Sequence, residues 1–471
     1  MKEILEKVSA INDENKAGKR KLVLEYMEDP NFNKFMHYCL DESLTFNVSR
    51  VSLAEEPIEG YFYDKLDELN DKGSASKKDK EELAALGSQS PYHLEVLNKI
   101  LRKNPDCGFS AKSMHAILPG EIPYYPYQRC STDAELERIF TTPVAGGGQY
   151  AFSDLKENGL FIRVKIPTVG KPIFESRNGK KFDFSDQFDD AFMALDPGAV
   201  DEDGVDYEMF ESGIVFEGEG LVRYECRQAS GLKHLPRTLG NAIINKFQGG
   251  HGNQEELGRI GFSLWTCLPL ADYTDGYSPL TVQQRRNCLA QILDMADSDS
   301  DIIHQTETKP VYSEKEAWAH YDEIRARPVP KGEEPLEGTV VKHPDEVWKD
   351  GTSLFMAKCK NVSECEVEIY GWEFGKPGGK YEDKLGSFHI RSSCGGLVGK
   401  CSGMTDAMRS EDPETFVGKI CTVKFNAVSK SKVEGKPRSF DHCRFIEIRT
   451  DKNRADTLKE ILEIAAARRK G

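Results

Sequence analysis

Tyr150-Ala151-Phe152-Ser153-Asp154-Leu155-Lys156-Glu157-Asn158-Gly159-Leu160-Phe161-Ile162-Arg163-Val164 is the stretch from which the rest of the chain takes its meaning. The β-branched and aromatic residues on either side of Glu157-Asn158-Gly159 predict a strand, a turn and a second strand of a half-buried sheet. Lys156 then stands at a strand end, facing a cleft rather than bulk solvent. Enclosed among apolar neighbours and near other cations, such a lysine holds more of its neutral amine, which can attack phosphorus and form a phosphoramidate. A lysine before a glycine turn is by itself more often a solvated hairpin residue, so its reading depends on the stretches that follow.

Those stretches carry charge where strands are expected. Ser176-Arg177-Asn178-Gly179 is a hairpin turn whose Arg177 is placed to hold a phosphate or ribose, unless it is a plain β-turn. In Phe216-Glu217-Gly218-Glu219-Gly220 the acids lie within a strand, so Glu219 either faces the cleft, binding Mg²⁺ or a ribose hydroxyl, or marks a solvated edge. Glu337, opening Glu337-Gly338-Thr339-Val340-Val341-Lys342, is a second metal candidate. Phe262-Ser263-Leu264-Trp265 reads as core, or Phe262 stacks on a base. Lys358 and Lys360, at i and i+2, face one side of a strand and call for an anion such as a triphosphate, or lie on a solvated edge. Gly395 to Lys400 looks like a phosphate loop, but Cys394 and Cys401 stand where Gly and Ser/Thr are required, and it is read as a turn.

At 471 residues the chain is expected to form several domains. Residues 1–130 show helical periodicity, with Ile4, Leu5, Val8 and Ile11 on one face and Leu94, Leu97, Ile100 and Leu101 on another. A helix pair with a mobile joint is expected over 66–87, and the Pro/Tyr-rich run through Tyr127 reads as a linker. Residues 131–360 mix strands (159–166, 213–224, 262–270, 338–342) with amphipathic helices (281–295, 313–327), which suits an α+β fold on antiparallel sheets. From 361 to 471 short strands between Gly, Pro and Lys turns suggest a small barrel closed by a helix.

No run approaches the roughly 18 to 20 apolar residues of a membrane span, and the N-terminus lacks a signal peptide's apolar segment. A cytoplasmic protein with no membrane partner is expected. The twelve cysteines show no C-x-x-C pair or zinc spacing and are read as reduced, mostly buried thiols. A net charge of −15 argues against a polyanion partner, except that Lys400, Lys419, Lys424, Lys430, Lys432, Lys436 and Arg438 begin a basic C-terminal part.

Taken in order, the charged stretches resemble the lysine-nucleotidyltransferase superfamily, and within it the ATP-dependent DNA ligases of T-even-type bacteriophages. That family's K-x-D-G, S-R-x-G, D-G-E, F-x-x-W-D, E-G-x-x-x-K and K-x-K motifs stand here as Lys156 to Gly159, Ser176 to Gly179, Glu217 to Glu219, Phe262 to Thr266, Glu337 to Lys342 and Lys358 to Lys360. The resemblance extends to Asp106-Cys107-Gly108 with Pro119 to Pro123, to Arg237 to Asn241 with Asn245 and Lys246, and to Gly403 to Asp406, Val417 to Lys419 and Arg449 to Lys452. Asn158 replaces the usual Asp, Phe161 the usual Arg, Glu217 and Thr266 an Asp each; Arg163, two residues on along the same strand face, is the expected substitute for the missing arginine.

What the resemblance implies is an all-α DNA-binding domain (1–130), an adenylation domain (131–360) and an OB-fold barrel (361–471) that together seal 3′-OH/5′-phosphate nicks. Lys156 becomes AMP-bearing. The nucleotide is held by Asp154, Leu155, Arg163, Arg177, Glu219, Phe262, Lys358 and Lys360, with Arg449 and Lys452 swinging in from the OB domain. Glu219 and Glu337 hold Mg²⁺, for which Mn²⁺ substitutes, and Arg237, Asn241, Asn245 and Lys246 contact DNA. The partner is nicked duplex DNA encircled by a monomer, in the infected bacterial cell if the chain is phage-encoded, and no clamp-binding peptide is evident. Two alternatives stay open: an RNA ligase or mRNA-capping nucleotidyltransferase, and a non-catalytic nucleotide- or DNA-binding relative, the latter motivated by Asn158 and Phe161.

Overall fold

The computed structural model describes residues 1–195, 210–224, 234–235, 237–296, 302–328, 336–360, 363–375, 381–425, 427–429 and 435–467. Residues 297–301, where Asp297, Asp299 and Asp301 concentrate negative charge in the sequence, lie outside the described residues, as do Lys430 and Lys432. Two compact units share the chain and are interleaved in sequence: one gathers Met1–Arg129, Glu157–Glu307 and Pro344–Ser353, the other Cys130–Lys156, Thr308–His343 and Leu354–Gly471. The Lys156-Glu157 peptide bond is one of their boundaries.

The first unit opens with seven helices, α1 (Lys2–Asn12), α2 (Lys16–Tyr26), α3 (Pro30–Leu40), α4 (Phe62–Lys72), α5 (Lys77–Gly87), α6 (Pro91–Leu101) and α7 (Ala111–His115). Their starts are written in the sequence: Asp29 and Ser90 cap α3 and α6 and each is followed by a proline at the first helical position. Phe32, Phe35, Leu66, Leu69, Leu97 and Ile100 meet in one core. The expected mobile joint between α4 and α5 is instead pinned. Ser76 and Asp79 form a capping box at α5, and the Asp79 carboxylate takes Lys65 at 3.0 Å and Lys72 at 2.7 Å from α4.

The same unit holds a five-stranded sheet in the order β4 (Ile173–Glu175), β3 (Leu160–Pro167), β5 (Gly213–Val222), β6 (Ile260–Pro269), β8 (Ile303–Gln305), antiparallel except for β6 with β8. Strand alternation divides its residues between two faces. Ile162, Val164, Phe216, Phe262 and Leu264 point into a core that Phe174, Phe188 and Phe192 share with α13 (Val282–Met295). Phe161, Arg163, Glu217, Glu219 and Ser263 take the other face by register. Short helices α9 (Asp189–Met193), α10 (Arg237–Lys246), α11 (Gln254–Leu257) and α12 (Leu270–Asp275) and the pair β7 (Tyr277–Thr281) with β11 (Val347–Lys349) complete the unit.

In the second unit, β1 (Gln128–Thr132), β12 (Gly351–Lys360), β10 (Gly338–Lys342), β2 (Ala151–Lys156) and β9 (Thr308–Val311) lie in that order. α8 (Leu136–Thr141) and α14 (Glu314–Arg325) supply Leu136, Ile139, Ala317 and Tyr321 to the core behind Ala151, Val341 and Cys359. The C-terminal part is an antiparallel sheet in the order β15 (Val398–Cys401), β14 (Leu385–Arg391), β13 (Ser363–Phe374), β16 (Ile420–Phe425), β19 (Arg444–Arg449). The pair β17 (Ala427–Ser429) with β18 (Ser439–Asp441), α15 (Asp406–Arg409) and α16 (Leu458–Ala467) accompany it. The barrel expected here is an open order of strands: its edges meet near a single isolated bridge, Ser402 with Arg444, among the described residues. No helix among the described residues is long and apolar enough to cross a membrane.

Candidate functional site

Lys156 ends β2, a strand held between β10 and β9. Its Cα stands opposite Gly338, and Asp154 stands opposite Val340, which is itself opposite Lys358. Opposed residues of antiparallel strands share a face, as do residues at i and i+2, so Asp154, Lys156 and Lys358 belong to one face of the sheet. Lys360 is placed by its backbone alone, across from Gly338.

Gly338 explains how an acid reaches the lysine. Its φ is +139°, and a Cβ there would come within 2.4 Å of the Cys359 carbonyl oxygen, so only glycine lets the chain enter between β2 and β12. Glu337, one residue earlier, is thereby delivered to the end of β2, where its carboxylate pairs with the Lys156 Nζ. The side chains remain 17% and 21% exposed, open to a reactant. The apolar and cationic enclosure expected around Lys156 is therefore replaced, at the Nζ itself, by an anion.

Two expected nucleotide contacts on this strand are corrected. The Asp154 carboxylate is buried and takes Lys342 Nζ at 2.6 Å and the Thr308 hydroxyl at 2.6 Å, so it ties β10 and β9 to β2 instead of facing a ligand. Leu155 stands opposite Thr339, on the face away from Lys156.

The first unit carries the other candidates. Arg163, proposed above to replace the missing arginine, is fully buried. Its Nε and Nη2 donate to Glu217 Oε1 at 3.2 and 3.1 Å, Nη1 to Glu175 Oε1 at 3.1 Å, and Nη2 also to the Pro126 carbonyl at 2.9 Å. Burial opposes its charge, but Glu217, Tyr273 and Glu175 outweigh that and hold its pKa above the usual value. With its donors directed inward, Arg163 is a structural ion-pair centre, and its assignment as a phosphate ligand is withdrawn.

Phe262 is corrected too. It is 1% exposed, on the core face of β6, with Phe188 at 4.9 Å and Phe192 at 5.1 Å between ring centroids, so its ring is enclosed by core aromatics instead of facing a cleft. Trp265, which sequence reasoning treated only as its companion, is half-buried and lies 5.9 Å from Phe161. A register shift on β6 between the partners of Glu217 and Gly218 falls at Trp265 and interrupts the simple alternation. Glu219 stands opposite Phe161 on one side and Ser263 on the other, half-buried, while the Ser263 hydroxyl donates to Glu157 at 3.2 Å.

Arg285 was not visible in the sequence. It is buried in α13, donating to the Thr266 hydroxyl at 2.8 Å and to the Leu280 and Glu346 carbonyls at 3.0 and 3.2 Å, and burial pushes its pKa down to about 10. Thr266, one of the departures from the motif pattern, is its hydroxyl partner. A lone Arg in a helix carries no signal of burial, so only packing reveals it.

Arg177 is exposed, at the tip of the turn after β4, with its guanidinium over Tyr127 and Phe161. On α10, Arg237, Asn241 and Asn245 fall at i, i+4 and i+8 on one face, Arg237 and Asn245 exposed, while Lys246 is paired with Glu256. Arg449 is bound within its own unit: Nε and Nη2 meet the two Asp451 oxygens at 2.8 and 2.6 Å, and Nη1 meets Glu366 at 2.6 Å. Lys452 is exposed. The basic C-terminal face is interleaved with acids, since Lys400, Lys424, Arg449 and Arg454 each pair with a carboxylate. Among the described residues no group of three or more His, Cys, Asp or Glu stands ready to hold a metal ion. That still fits Mg²⁺, which takes one or two carboxylates and completes its shell with phosphates and water.

No protein-family model matches the sequence. The chain is similar to a DNA ligase of Enterobacteria phage T4, 24% identical over 409 residues that cover 78% of this chain and 77% of that protein. A DNA ligase of Enterobacteria phage T6 matches with the same identity and coverage. A solved structure described as Pmar-Lig_PreS3 superposes with a TM-score of 0.66 at 18% identity, covering 95% of this chain and 99% of that one, so the two share a fold.

Proposed function

We propose that this chain is a phage-type ATP-dependent DNA ligase, which seals 3′-OH/5′-phosphate nicks through a lysyl-AMP and a DNA-adenylate. One observation supports this most strongly: within a chain similar to phage DNA ligases over most of its length, a partly exposed lysine ends a central strand with a glutamate on its Nζ and Lys358 on its sheet face.

The Lys156 Nζ attacks the α-phosphorus of ATP, forming a P–N bond as the bond to pyrophosphate breaks. Glu337, already on the Nζ, gives the departing proton an acceptor. AMP then passes to the 5′-phosphate of a nick, and attack by the 3′-hydroxyl releases it. Each transfer places charge on phosphoryl oxygens, so Lys358, Lys360 and Arg177 act by positioning and neutralising phosphates. Glu219 and Glu337 offer hard oxygens to Mg²⁺, which when bound spreads the charge of the phosphates. Trp265, in place of Phe262, offers the aromatic face for adenine.

The remaining assignments belong to the same proposal. The N-terminal helices (within 1–130) and the α10 residues Arg237, Asn241, Asn245 and Lys246 hold the duplex by its backbone, the middle part (131–360) is the adenylation domain, and the C-terminal sheet (361–471) acts as an OB-type domain. Arg449 and Lys452 reach the leaving pyrophosphate after Arg449 releases Asp451. The enzyme works as a monomer in the cytoplasm of the infected host.

Incubation with α-labelled ATP and Mg²⁺ tests the reading. The expected product is an acid-labile, base-stable label that maps to Lys156 by mass spectrometry, disappears in Lys156→Ala and transfers to nicked DNA. Sealing by a protein that carries no such label, or a label on another residue, sinks it. Substrates ending in ribose rather than deoxyribose separate the RNA-ligase alternative.

A further inference from the structure

The run Tyr124-Tyr125-Pro126-Tyr127, which the sequence presents as a linker, is fastened to the first unit by hydrogen bonds. The Tyr127 N–H donates to Asp350 Oδ1 at 3.1 Å, its carbonyl accepts from the Gly351 N–H at 3.1 Å, and the Pro126 carbonyl accepts from Arg163 at 2.9 Å. Asp350 also takes the Tyr124 hydroxyl and the Lys112 Nζ of α7, while its own N–H donates to the Gly276 carbonyl at 2.9 Å.

The turn that carries Arg177 rests on this run. Gly179 has φ +81°, and a Cβ added there would fall 1.9 Å from the Tyr125 ring, so the turn seats only because that residue is glycine. The Arg177 Cζ lies 4.4 Å from the Tyr127 ring centroid and 5.5 Å from that of Phe161, two rings that pack edge to face at 5.1 Å. Among the described residues Arg177 has no carboxylate partner, in contrast to Arg163. Its guanidinium is oriented by ring faces, which leaves its edge donors open to a ligand.

We infer that Tyr127, latched by Asp350, is a positioning residue for Arg177, holding its cation beside Phe161, the position where the ligase motif would have carried an arginine of its own. The inference rests on the ligase reading. It makes Phe161 part of a cation's seat, so the lost charge is supplied from the neighbouring turn. It also connects the N-terminal helices to the Arg177 turn, because Lys112 belongs to one of them.

A double-mutant cycle on the full chain tests it, reading the single-turnover rate of lysyl-AMP formation with labelled ATP and, separately, sealing of a pre-adenylated nick. Arg177→Ala is expected to slow adenylation. Tyr127→Leu is expected to slow it about two- to fivefold, the effect of losing one exposed cation–π contact, and Tyr127→Phe to restore it. Because Tyr127 acts through Arg177, the Tyr127→Leu/Arg177→Ala double variant should be no slower than Arg177→Ala alone. Multiplied losses in the double variant, or a Tyr127→Phe as slow as Tyr127→Leu with an unchanged melting temperature, overturn the inference. Should Tyr127→Leu fail to fold, the same cycle is run with Asp350→Asn, and multiplied losses overturn it there too. A wild-type protein that never labels at Lys156 condemns the ligase reading instead, and the two failures are thereby distinct.

Discussion

The ammonium of Lys156 is paired with the carboxylate of Glu337, and both reach that point because Gly338 stands directly opposite Lys156 across β2 and β10. Removing the charge without the shape, in Glu337→Gln, leaves the nucleophile in place but strips its proton acceptor and one hard oxygen. Adenylation is expected to fall by about 100-fold or more, as for other single electrostatic groups at a reacting centre. Binding of nicked DNA, read by gel shift in the absence of ATP, should be unchanged. A variant that adenylates at the wild-type rate would mean the pair is a surface contact and nothing more.

Arg163 makes a contrasting prediction, because its partners are all internal. Arg163→Met leaves Glu217 buried with its cation gone and Glu175 with Lys165 alone, and breaking such a buried pair costs about 3 to 5 kcal/mol. Denaturant unfolding should show that loss, and activity per folded molecule should change little. The triple variant that also carries Glu175→Gln and Glu217→Gln should regain part of the stability, since no buried carboxylate is left without its cation and only the partly exposed Lys165 loses a partner. Normal stability with abolished adenylation would instead return Arg163 to the phosphates.

These two residues mark how far the sequence could be read. Strand periodicity and the Glu-Gly pair place Lys156 and Glu337 in the right elements, and the observed strands over 160–167, 213–222, 260–269 and 338–342 lie within two residues of those expected. Period-2 alternation says that Phe161 and Arg163 share a face, but not that Glu175, from another strand, and Pro126, from the supposed linker, converge on the second of them. Those contacts join residues 12 and 37 apart with no local signature. The same limit hid Arg285, and it made Tyr124 to Tyr127 look like a tether, since prolines and tyrosines announce extended chain and not the groups that grip it. Nor did sequence order foresee the two interleaved units, because clustering in space is not written along the chain.

The two aromatics of β6 separate by their environments. Phe262→Ala empties a site among Phe174, Phe188 and Phe192 and should cost about 3 to 5 kcal/mol, seen as a lower unfolding midpoint. Trp265→Ala removes a half-buried ring and should leave the midpoint nearly unchanged while raising the KM for ATP about tenfold, the range of one aromatic–base stack. If Phe262→Leu raised that KM and Trp265→Ala did not, the face assigned to adenine would be the wrong one.

Lys103 gives the first unit a pH dependence of known sign. Its Nζ donates to the Tyr38 and Asp41 carbonyls at the end of α3, both at 2.9 Å, and burial pushes its pKa down to about 8 from an ordinary 10.5. Below pH 8 folded and unfolded chains both carry the proton, and the folded state bears the cost of a partly buried charge. Between pH 8 and 10.5 the folded chain has released the proton while the unfolded chain still holds it, so stability must rise with pH across that window. Tyrosines and thiols titrate there as well, but they are common to a Lys103→Met variant, and the difference between the two proteins isolates the lysine. Urea unfolding at intervals from pH 7 to 10.5 should show wild type gaining stability over Lys103→Met as pH rises. A difference that stays flat, or shrinks, would mean the folded protein keeps this lysine charged throughout.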